Sequence, residues 1–275
     1  MKRPLVCLLL LLPLVGHAGG DDPPVGGRTW GLAGAGATLR DVWSVFNNPG
    51  GLAGVEQVTA GLFFENRFQQ ASFSTAALAV AVPLGERWGH GGLHFRHFGD
   101  ALYREQEAGV SYGHRLGEVT LGAQAVYHQV SVDELGGRGV LAFNFGGVAS
   151  VVPKLHFGAA VSNLNQARLV RDTDERLPTV LRAGVAWEPT ERVWLTAETE
   201  KDVDAPALYR VGLAYRVADL VEVRTGFSSD PAVGYFGAGL QRRRFGLDYA
   251  VSTHPALGWS HHLSLQYTLD RRDAE

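Results

Sequence analysis

The sequence predicts an all-β fold: a single transmembrane antiparallel β-barrel of about fourteen strands, with an N-terminal hatch segment in its lumen. Three observations lead to this prediction. An export signal opens the chain, and no later apolar run reaches the roughly 18 residues that a membrane helix needs. From residue 57 onward, segments of roughly 9–12 residues alternate large apolar side chains with small or polar ones. The small and polar faces are rich in glycine, of which the chain has 35.

Residues 1–18 are predicted to be a secretory signal peptide. A basic start precedes an apolar run over residues 5–15, and the small residue Ala18 stands at the expected cleavage point. That run is too short for a membrane-spanning helix. The single cysteine, Cys7, lies inside the signal, so the mature chain has no disulfide framework and a closed sheet is one way to stabilise it.

The charge of the mature chain argues against a nucleic-acid partner. Cleavage after Ala18 removes two of the 25 basic residues and none of the 28 acidic ones, which leaves a formal charge of −5. Binding to a nucleic acid requires a basic patch. Only two lysines follow the signal, Lys154 and Lys201, and both lie near expected turns.

Residues 19–54 are the one mature segment without the strand pattern. Glycine and alanine dominate its first half, a composition that lets the backbone pack closely against a wall. Residues 39–46 are predicted to form about two turns of helix. The large apolar side chains at helical spacing there are Leu39, Val42, Trp43 and Phe46.

The run from Asn47 to Gly51 should end this helix. Pro49 forces Asn48 out of the helical region, and asparagine and glycine supply local hydrogen bonds and positive φ. Together with Gly27-Arg28, the run from Gly31 to Ala35, and Asp41, these residues carry a resemblance. They resemble the N-terminal segment of the PorV/PorQ family, which is itself similar to the FadL-type outer-membrane transporters.

In those families an Asn-Pro-Ala sequence followed by Gly-Leu closes a small hatch inside the barrel. Here Gly50 stands at the alanine position, which keeps the turn but loosens it. The resemblance implies a hatch or gate whose residues are Asp41, Trp43, Asn47, Asn48, Pro49, Gly50 and Gly51. The alternative for this segment is an N-terminal arm with no plugging role.

The barrel is predicted to occupy residues 55–270, followed by a tail at 271–275. An even number of strands places both ends of an antiparallel barrel on one side. The expected strands lie near 56–64, 70–82, 88–98, 103–114, 118–131, 138–149, 154–162, 179–187, 192–201, 206–217, 220–228, 232–241, 244–253 and 260–270. The last of these contains Ser260-His261-His262-Leu263-Ser264-Leu265, which looks like the closing strand of PorV/PorQ proteins.

A soluble β-sandwich would show the same alternation, with the apolar faces as its core. Two features favour the barrel. The polar faces carry glycine and alanine, which suit a narrow, partly filled lumen, where a sandwich would expose lysine, glutamate and threonine. Aromatic residues also gather near strand ends, as membrane interfaces require: Trp88, Tyr112, Trp187, Trp194, Tyr209, Trp259 and Tyr267.

Strand parity predicts a set of charged side chains in the lumen. They are Arg182, Glu198, Glu200, Arg210, Arg216, Glu222, Arg224 and Asp248. Ionisable groups at membrane depth are costly unless they are paired or wetted, so these groups should form ion pairs with one another or with the hatch. A polar permeation path is the functional alternative.

No catalytic, metal or cofactor site is predicted. His90 and His94 share a strand face, but His97 does not, so lumen lining is favoured over a metal site. The glycine-rich run 31–36 follows no strand and is not a dinucleotide loop. Serine and histidine show no spacing that selects a catalytic trio.

Two functional classes are expected from the resemblance, both in the outer membrane and in contact with its lipid. PorV/PorQ proteins imply an accessory role in type IX secretion, docking secretion components or exported cargo. FadL proteins imply uptake of a hydrophobic small molecule such as a long-chain fatty acid, gated by the hatch. A soluble periplasmic β protein is the third possibility.

Overall fold

The computed structural model describes residues 22–169 and 176–269. The predicted signal peptide, 1–18, and the predicted tail, 271–275, lie outside the described residues. None of the helices in the described parts of the chain has the length and hydropathy to cross a bilayer.

Fourteen antiparallel strands form a closed barrel, as the sequence predicts. Each strand pairs with its neighbours along the chain, and the barrel closes where β1 pairs with β14, from Thr59 opposite Thr268 to Asn66 opposite His261. The strands are β1 (Thr59–Asn66), β2 (Ser74–Gly85), β3 (Gly89–Gly99), β4 (Tyr103–Leu116), β5 (Val119–Val132), β6 (Gly136–Val152), β7 (Leu155–Val161), β8 (Val180–Thr190), β9 (Val193–Asp202), β10 (Leu208–Ala218), β11 (Val221–Ser229), β12 (Ala232–Arg242), β13 (Phe245–His254) and β14 (Gly258–Thr268).

The apolar faces of the strands point outward. On β10, Tyr209 and Val211 are 61% and 51% exposed, whereas Arg210 between them is 7% exposed. A sandwich would bury the apolar set and expose the arginine. The soluble-sandwich alternative is therefore wrong, and the outer surface is an apolar band of the kind that faces lipid.

The two ends of the barrel differ. At one end, the short-turn end, successive strands are joined by two or three residues, for example 153–154 and 191–192. At the other, the long-loop end, the connection between β7 and β8 runs from 162 to 179. The pairing register shifts beside four of the short turns. These irregularities accommodate extra residues next to the turns, so the alternation of lumen-facing and lipid-facing residues continues unchanged along the strands.

The predicted helix over 39–46 is confirmed only at its end: the chain is helical from Ser44 onward, and residues 39–43 are not helical. The segment has a five-residue helix, α1 (Gly27–Gly31), a four-residue helix, α2 (Ser44–Asn47), and a 3₁₀ helix at Pro49–Gly54 that Asn48 caps by accepting a hydrogen bond from Gly50 N. Apolar residues at helical spacing suggested a single buried helix face, but barrel strands surround this segment on several sides. Leu39 packs with Ala214 of β10, whereas Trp43 packs with Phe63 of β1.

Candidate functional site

Residues 22–58 form a plug that lies inside the barrel, and the hydrophobic core of the molecule is the contact between this plug and the wall. The largest fully buried apolar side chains belong mostly to it: Trp43, Leu32, Leu39, Leu52, Val25, Val42 and Val45. One cluster joins several of them to Phe63, Ala77, Ala79 and Ala81 on β1 and β2. Small wall residues leave the space that the large plug residues fill.

Glycines in the wall bring the plug backbone close. A Cβ added at Gly122, Gly146 or Gly158 would lie under 3.0 Å from plug atoms, closer than real Cβ atoms come. At Gly158 the obstacle is the backbone of Ala37 and Thr38, which cannot swing aside as a long side chain could. The glycine-rich faces of the strands, seen in the sequence, are therefore the surface against which the plug packs.

Asn48 joins the plug to the wall. Its Nδ2 donates to Ala37 O at 2.6 Å and to Gly147 O on β6 at 3.1 Å, and its Oδ1 accepts from Gly50 N at 3.0 Å. The side chain is fully buried. Unpaired polar groups in the interior cost free energy, so the backbone groups around this position require a side chain that can both donate and accept, as asparagine does.

The other predicted hatch residues shape the plug from within. Asn47 accepts from Val25 N at 2.9 Å and donates to Val25 O at 2.8 Å, which ties the start of the plug to its centre. A Cβ on Gly50 would lie 2.5 Å from Gly147 Cα, and one on Gly51 would lie 2.6 Å from Ser44 Oγ. Both positions therefore require close backbone approach. Pro49 opens the 3₁₀ helix, where a missing N–H carries little cost.

Asp41 and Trp43 meet at the turn before α2. Asp41 Oδ1 accepts a hydrogen bond from Trp43 N at 3.0 Å, while its Oδ2 is buried without a hydrogen-bond partner among the described residues. Burial raises the pKa of Asp41, and the nearby Arg28 opposes that change. Trp43 is fully buried and meets the ring of Phe63 edge-on, with centroids 6.1 Å apart.

Four further hydrogen bonds attach the plug to β5, β6, β9 and β14. Ala37 N donates to Glu198 Oε2 at 2.7 Å, and Gly27 N donates to Ser264 Oγ at 3.1 Å. Arg40 donates to Ser150 Oγ at 2.8 Å, and Gln124 donates to Val45 O. The contacts are spread around the barrel, so displacement of the whole plug must break several of them at once.

The predicted lumen charges form two ion-pair networks. In the first, Glu200 Oε2 lies 2.7 Å from Arg182 Nε and 2.7 Å from Arg210 Nη1. Glu198 lies 3.4 Å from Arg210, and Arg182 reaches Asp22 of the plug at 3.2 Å. Since each charge is buried or nearly so, pairing offsets the cost of removing it from water.

The second network lies toward the short-turn end. Arg224 lies 2.6 Å from both Asp248 and Glu222, and Glu222 also faces Arg28 of the plug at 3.9 Å. Arg216 is separate from these pairs: it is exposed and lines the mouth of the lumen at this end.

Sequence reasoning missed two lumenal clusters in the first half of the barrel. Glu107 of β4 pairs with Arg96 directly across the strand boundary and with His94 at 2.9 Å. Glu65 of β1 lies 3.3 Å from His262 of β14. The first pair could be expected from the sequence, since opposite charges lie at similar distances on either side of the β3–β4 turn. The second depends on barrel closure between strands at opposite ends of the chain.

Helix α1 lies between two cavities. On one side Trp30 lines a cavity of about 490 Å³ that opens toward the long-loop end, the upper vestibule. On the other side Arg28 lines a cavity of about 260 Å³ at the short-turn end, the lower vestibule, together with Asp41, Arg216, Glu222 and Asp248. A solute that crosses the lumen has to pass from one vestibule to the other around or through the plug.

Comparison with solved structures identifies the same fold in bacterial transporters. The toluene transporter TbuX of Ralstonia pickettii is 13% identical, with a TM-score of 0.71 over 91% of this chain and 100% of the other. A FadL homologue of Pseudomonas aeruginosa is 14% identical, with a TM-score of 0.64 over 90% and 99%. The toluene transporter TodX of P. putida is 11% identical, with a TM-score of 0.64 over 91% and 100%. No protein-family model and no curated protein matches the sequence.

Proposed function

We propose that the protein is an outer-membrane channel for small molecules, in which the plug must move to open a route. The observation that carries this proposal is the position of α1 between the upper and lower vestibules. Solute would enter at the long-loop end, facing the outside, and leave at the short-turn end, facing the periplasm. The N-terminal signal and the apolar outer band support an outer-membrane location.

Transport of a hydrophobic small molecule is supported by the neighbours of this fold, which are described as toluene transporters and a FadL homologue. Apart from the connection 162–179, the strand connections at both ends are short, which favours a simple pore over a large extracellular binding platform. A catalytic role has no support from these neighbours.

An accessory role in type IX secretion, with secretion components or cargo as partners, is the second candidate. It rests on the PorV/PorQ resemblance of the plug and of the closing strand, residues 260–265. The fold neighbours favour transport over this role. Co-purification of secretion components from native membranes would support the accessory role.

A reversible plug lock tests the channel. A Cβ at Gly113 of β4 would lie 3.3 Å from Leu52 Cβ of the plug, near the separation of disulfide-bonded cysteines. The double variant Leu52→Cys/Gly113→Cys, placed in a mature chain that has no other cysteine, should stop toluene uptake by intact cells that carry it in their outer membrane when oxidised and restore it when reduced.

The two single-cysteine variants are the matched controls and should respond to neither treatment. Equal uptake by the oxidised and reduced double variant, with the disulfide verified by mass, would exclude a route that needs the plug to move at this point.

A further inference from the structure

We propose that the upper vestibule favours small amphiphilic organic cations, such as arylalkylammonium ions, over neutral alcohols and carboxylates of the same size. This inference rests on the proposed channel function and names the class of solute that its entrance favours. The argument comes from three properties of the cavity: its charge, the positions of its unpaired carboxylates, and the side chains of its floor.

The vestibule carries an excess of negative charge. Five carboxylates line it, on Asp22, Glu65, Glu200, Asp202 and Asp230. Among the described residues, two guanidinium groups line it, on Arg67 and Arg210. Arg182 approaches Asp22 and Glu200 from the wall, and counting it still leaves two more negative than positive groups. Confined cavities of one sign concentrate solutes of the other sign and repel those of the same sign.

The excess lies at the rim. Glu200 is paired with Arg182 and Arg210, and Glu65 lies 3.1 Å from Arg67. Asp202 ends β9 and Asp230 follows β11, and neither has a cationic partner among the described residues. Two carboxylates that have no counter-charge within the described part of the chain therefore lie where a solute enters.

The floor of the vestibule is aromatic. Trp30 of the plug stacks on His262 with ring centroids 4.4 Å apart, and the ring of Tyr235 lies 6.0 Å from that of Trp30. Phe68 lines the cavity nearer the rim. Aromatic faces attract both apolar rings and organic cations, and this attraction strengthens as water is excluded.

Two polar atoms at the floor make no hydrogen bond of good geometry among the described residues: Trp30 Nε1, and Glu65 Oε1, which faces His262 Nδ1 at 3.3 Å. Both atoms are buried. A carboxylate oxygen can accept from an ammonium or amine N–H, but it offers nothing to an alkane and repels a carboxylate. A cavity of about 490 Å³ is within the range of small-molecule sites, roughly 300–1,000 Å³.

Three ligands of matched size and different charge test the proposal: 2-phenylethylamine, 2-phenylethanol and phenylacetate. Binding to the purified full-length protein is measured by calorimetry at low and high salt. The amine should bind about tenfold more tightly than the alcohol, and phenylacetate should bind more weakly still. Added salt should weaken amine binding and leave alcohol binding unchanged.

The rim variant Asp202→Asn/Asp230→Asn should reduce amine affinity severalfold without changing alcohol affinity. The control variant Asp133→Asn/Glu134→Gln removes two charges from the exposed β5–β6 turn at the same end, outside the vestibule, and should change neither. Both replacements are at positions outside the buried networks, so folding should be preserved.

The outcomes separate this inference from the channel itself. If the alcohol or phenylacetate binds as tightly as the amine, or if the rim variant matches the control, the selectivity is wrong while toluene uptake and its redox lock can still stand. If neither the plug lock nor any ligand has an effect, the channel function fails as well.

Discussion

Asn48 links two parts of the plug to the barrel wall. Its amide joins Ala37, Gly50 and the wall at Gly147 through three hydrogen bonds, and no part of the side chain reaches solvent. Removal of the amide leaves buried carbonyl and amide groups unpaired, each at a cost of about 1–3 kcal/mol. The plug should therefore loosen at the point where it touches β6.

Asn48→Ala should raise the leak of the closed barrel, that is, the ion current that passes through it while the plug is in place. We expect more frequent opening events in planar bilayers, because the closed state loses wall contacts that an open state does not make. Asn165→Ala is the matched control, since Asn165 also makes two hydrogen bonds to strand backbone, at Phe143 N and Leu141 O, but lies outside the lumen. Identical traces for the two variants would mean that Asn48 does not hold the plug.

Asp41→Asn should stabilise the folded protein at neutral pH. Burial raises the pKa of Asp41 above its ordinary 3.8, so the ionised form is disfavoured in the fold. Asparagine keeps the oxygen that accepts from Trp43 N and removes the charge, so the free energy of unfolding should rise. The gain should shrink as the pH falls and should vanish well below 3.8, where Asp41 is protonated in both the folded and the unfolded state. Urea titrations at several pH values measure it.

Asp100→Asn should lower the free energy of unfolding at neutral pH, the opposite of the effect expected for Asp41→Asn. Hydrogen bonds from Ser72 and from the backbone N–H groups of Tyr103 and Leu102 hold the pKa of Asp100 below 3.8. Ionised Asp100 therefore contributes stability above that pH, and the contribution is lost as the pH falls through its lowered pKa. If both variants change the free energy of unfolding in the same direction, the environments described for these two carboxyl groups are wrong.

At the scale of elements, glycines in the barrel strands leave the space into which the backbone of the plug packs. At Gly158 of β7, an added Cβ would lie 2.9 Å from Thr38 N, with plug backbone as the obstacle. Gly158→Ala should displace the plug locally, raise the leak and lower stability by about 1–3 kcal/mol. Conductance and urea titration of the same preparation measure both effects.

Gly234→Ala is the control for that substitution. Gly234 lies in β12, and its added Cβ would meet Thr253 Oγ1 at 3.5 Å, an ordinary contact. Any general cost of adding a methyl group to a strand glycine should appear in both variants. If the two leak equally, close packing at Gly158 does not position the plug.

The strands could be predicted from the sequence because alternation is a local property, and the lipid and the lumen enforce it at every residue. Pairs around one turn, such as Arg96 with Glu107, could also have been found. Contacts of the plug could not, because they join residues far apart in the chain, as Ala37 and Glu198 show. The error in the helix over 39–46 has the same origin. Leu39 packs against β10, whereas Val42, Trp43 and Phe46 share one cluster with β1 and β2.

At the scale of the whole molecule, the barrel and the plug have separate sources of stability. Every strand is hydrogen-bonded on both sides, including β1 to β14, so the wall has no open edge. The plug contributes most of the fully buried apolar side chains but no strand. A barrel without its plug should therefore keep its wall and lose its closed lumen.

Deletion of residues 26–54 tests this separation. The variant should still fold to a form whose gel mobility changes on heating, because the ladder of fourteen strands is complete. It should be less stable than the full chain, since lumenal apolar residues such as Phe63 and Ala79 lose their plug partners. In planar bilayers it should conduct continuously, because glycine and paired charges leave a lumen that water can fill. The order of conductance should be full chain, then Asn48→Ala, then the deletion. A deletion variant that folds and remains closed would show that the wall itself seals the lumen, and the route through the barrel would then not depend on the plug.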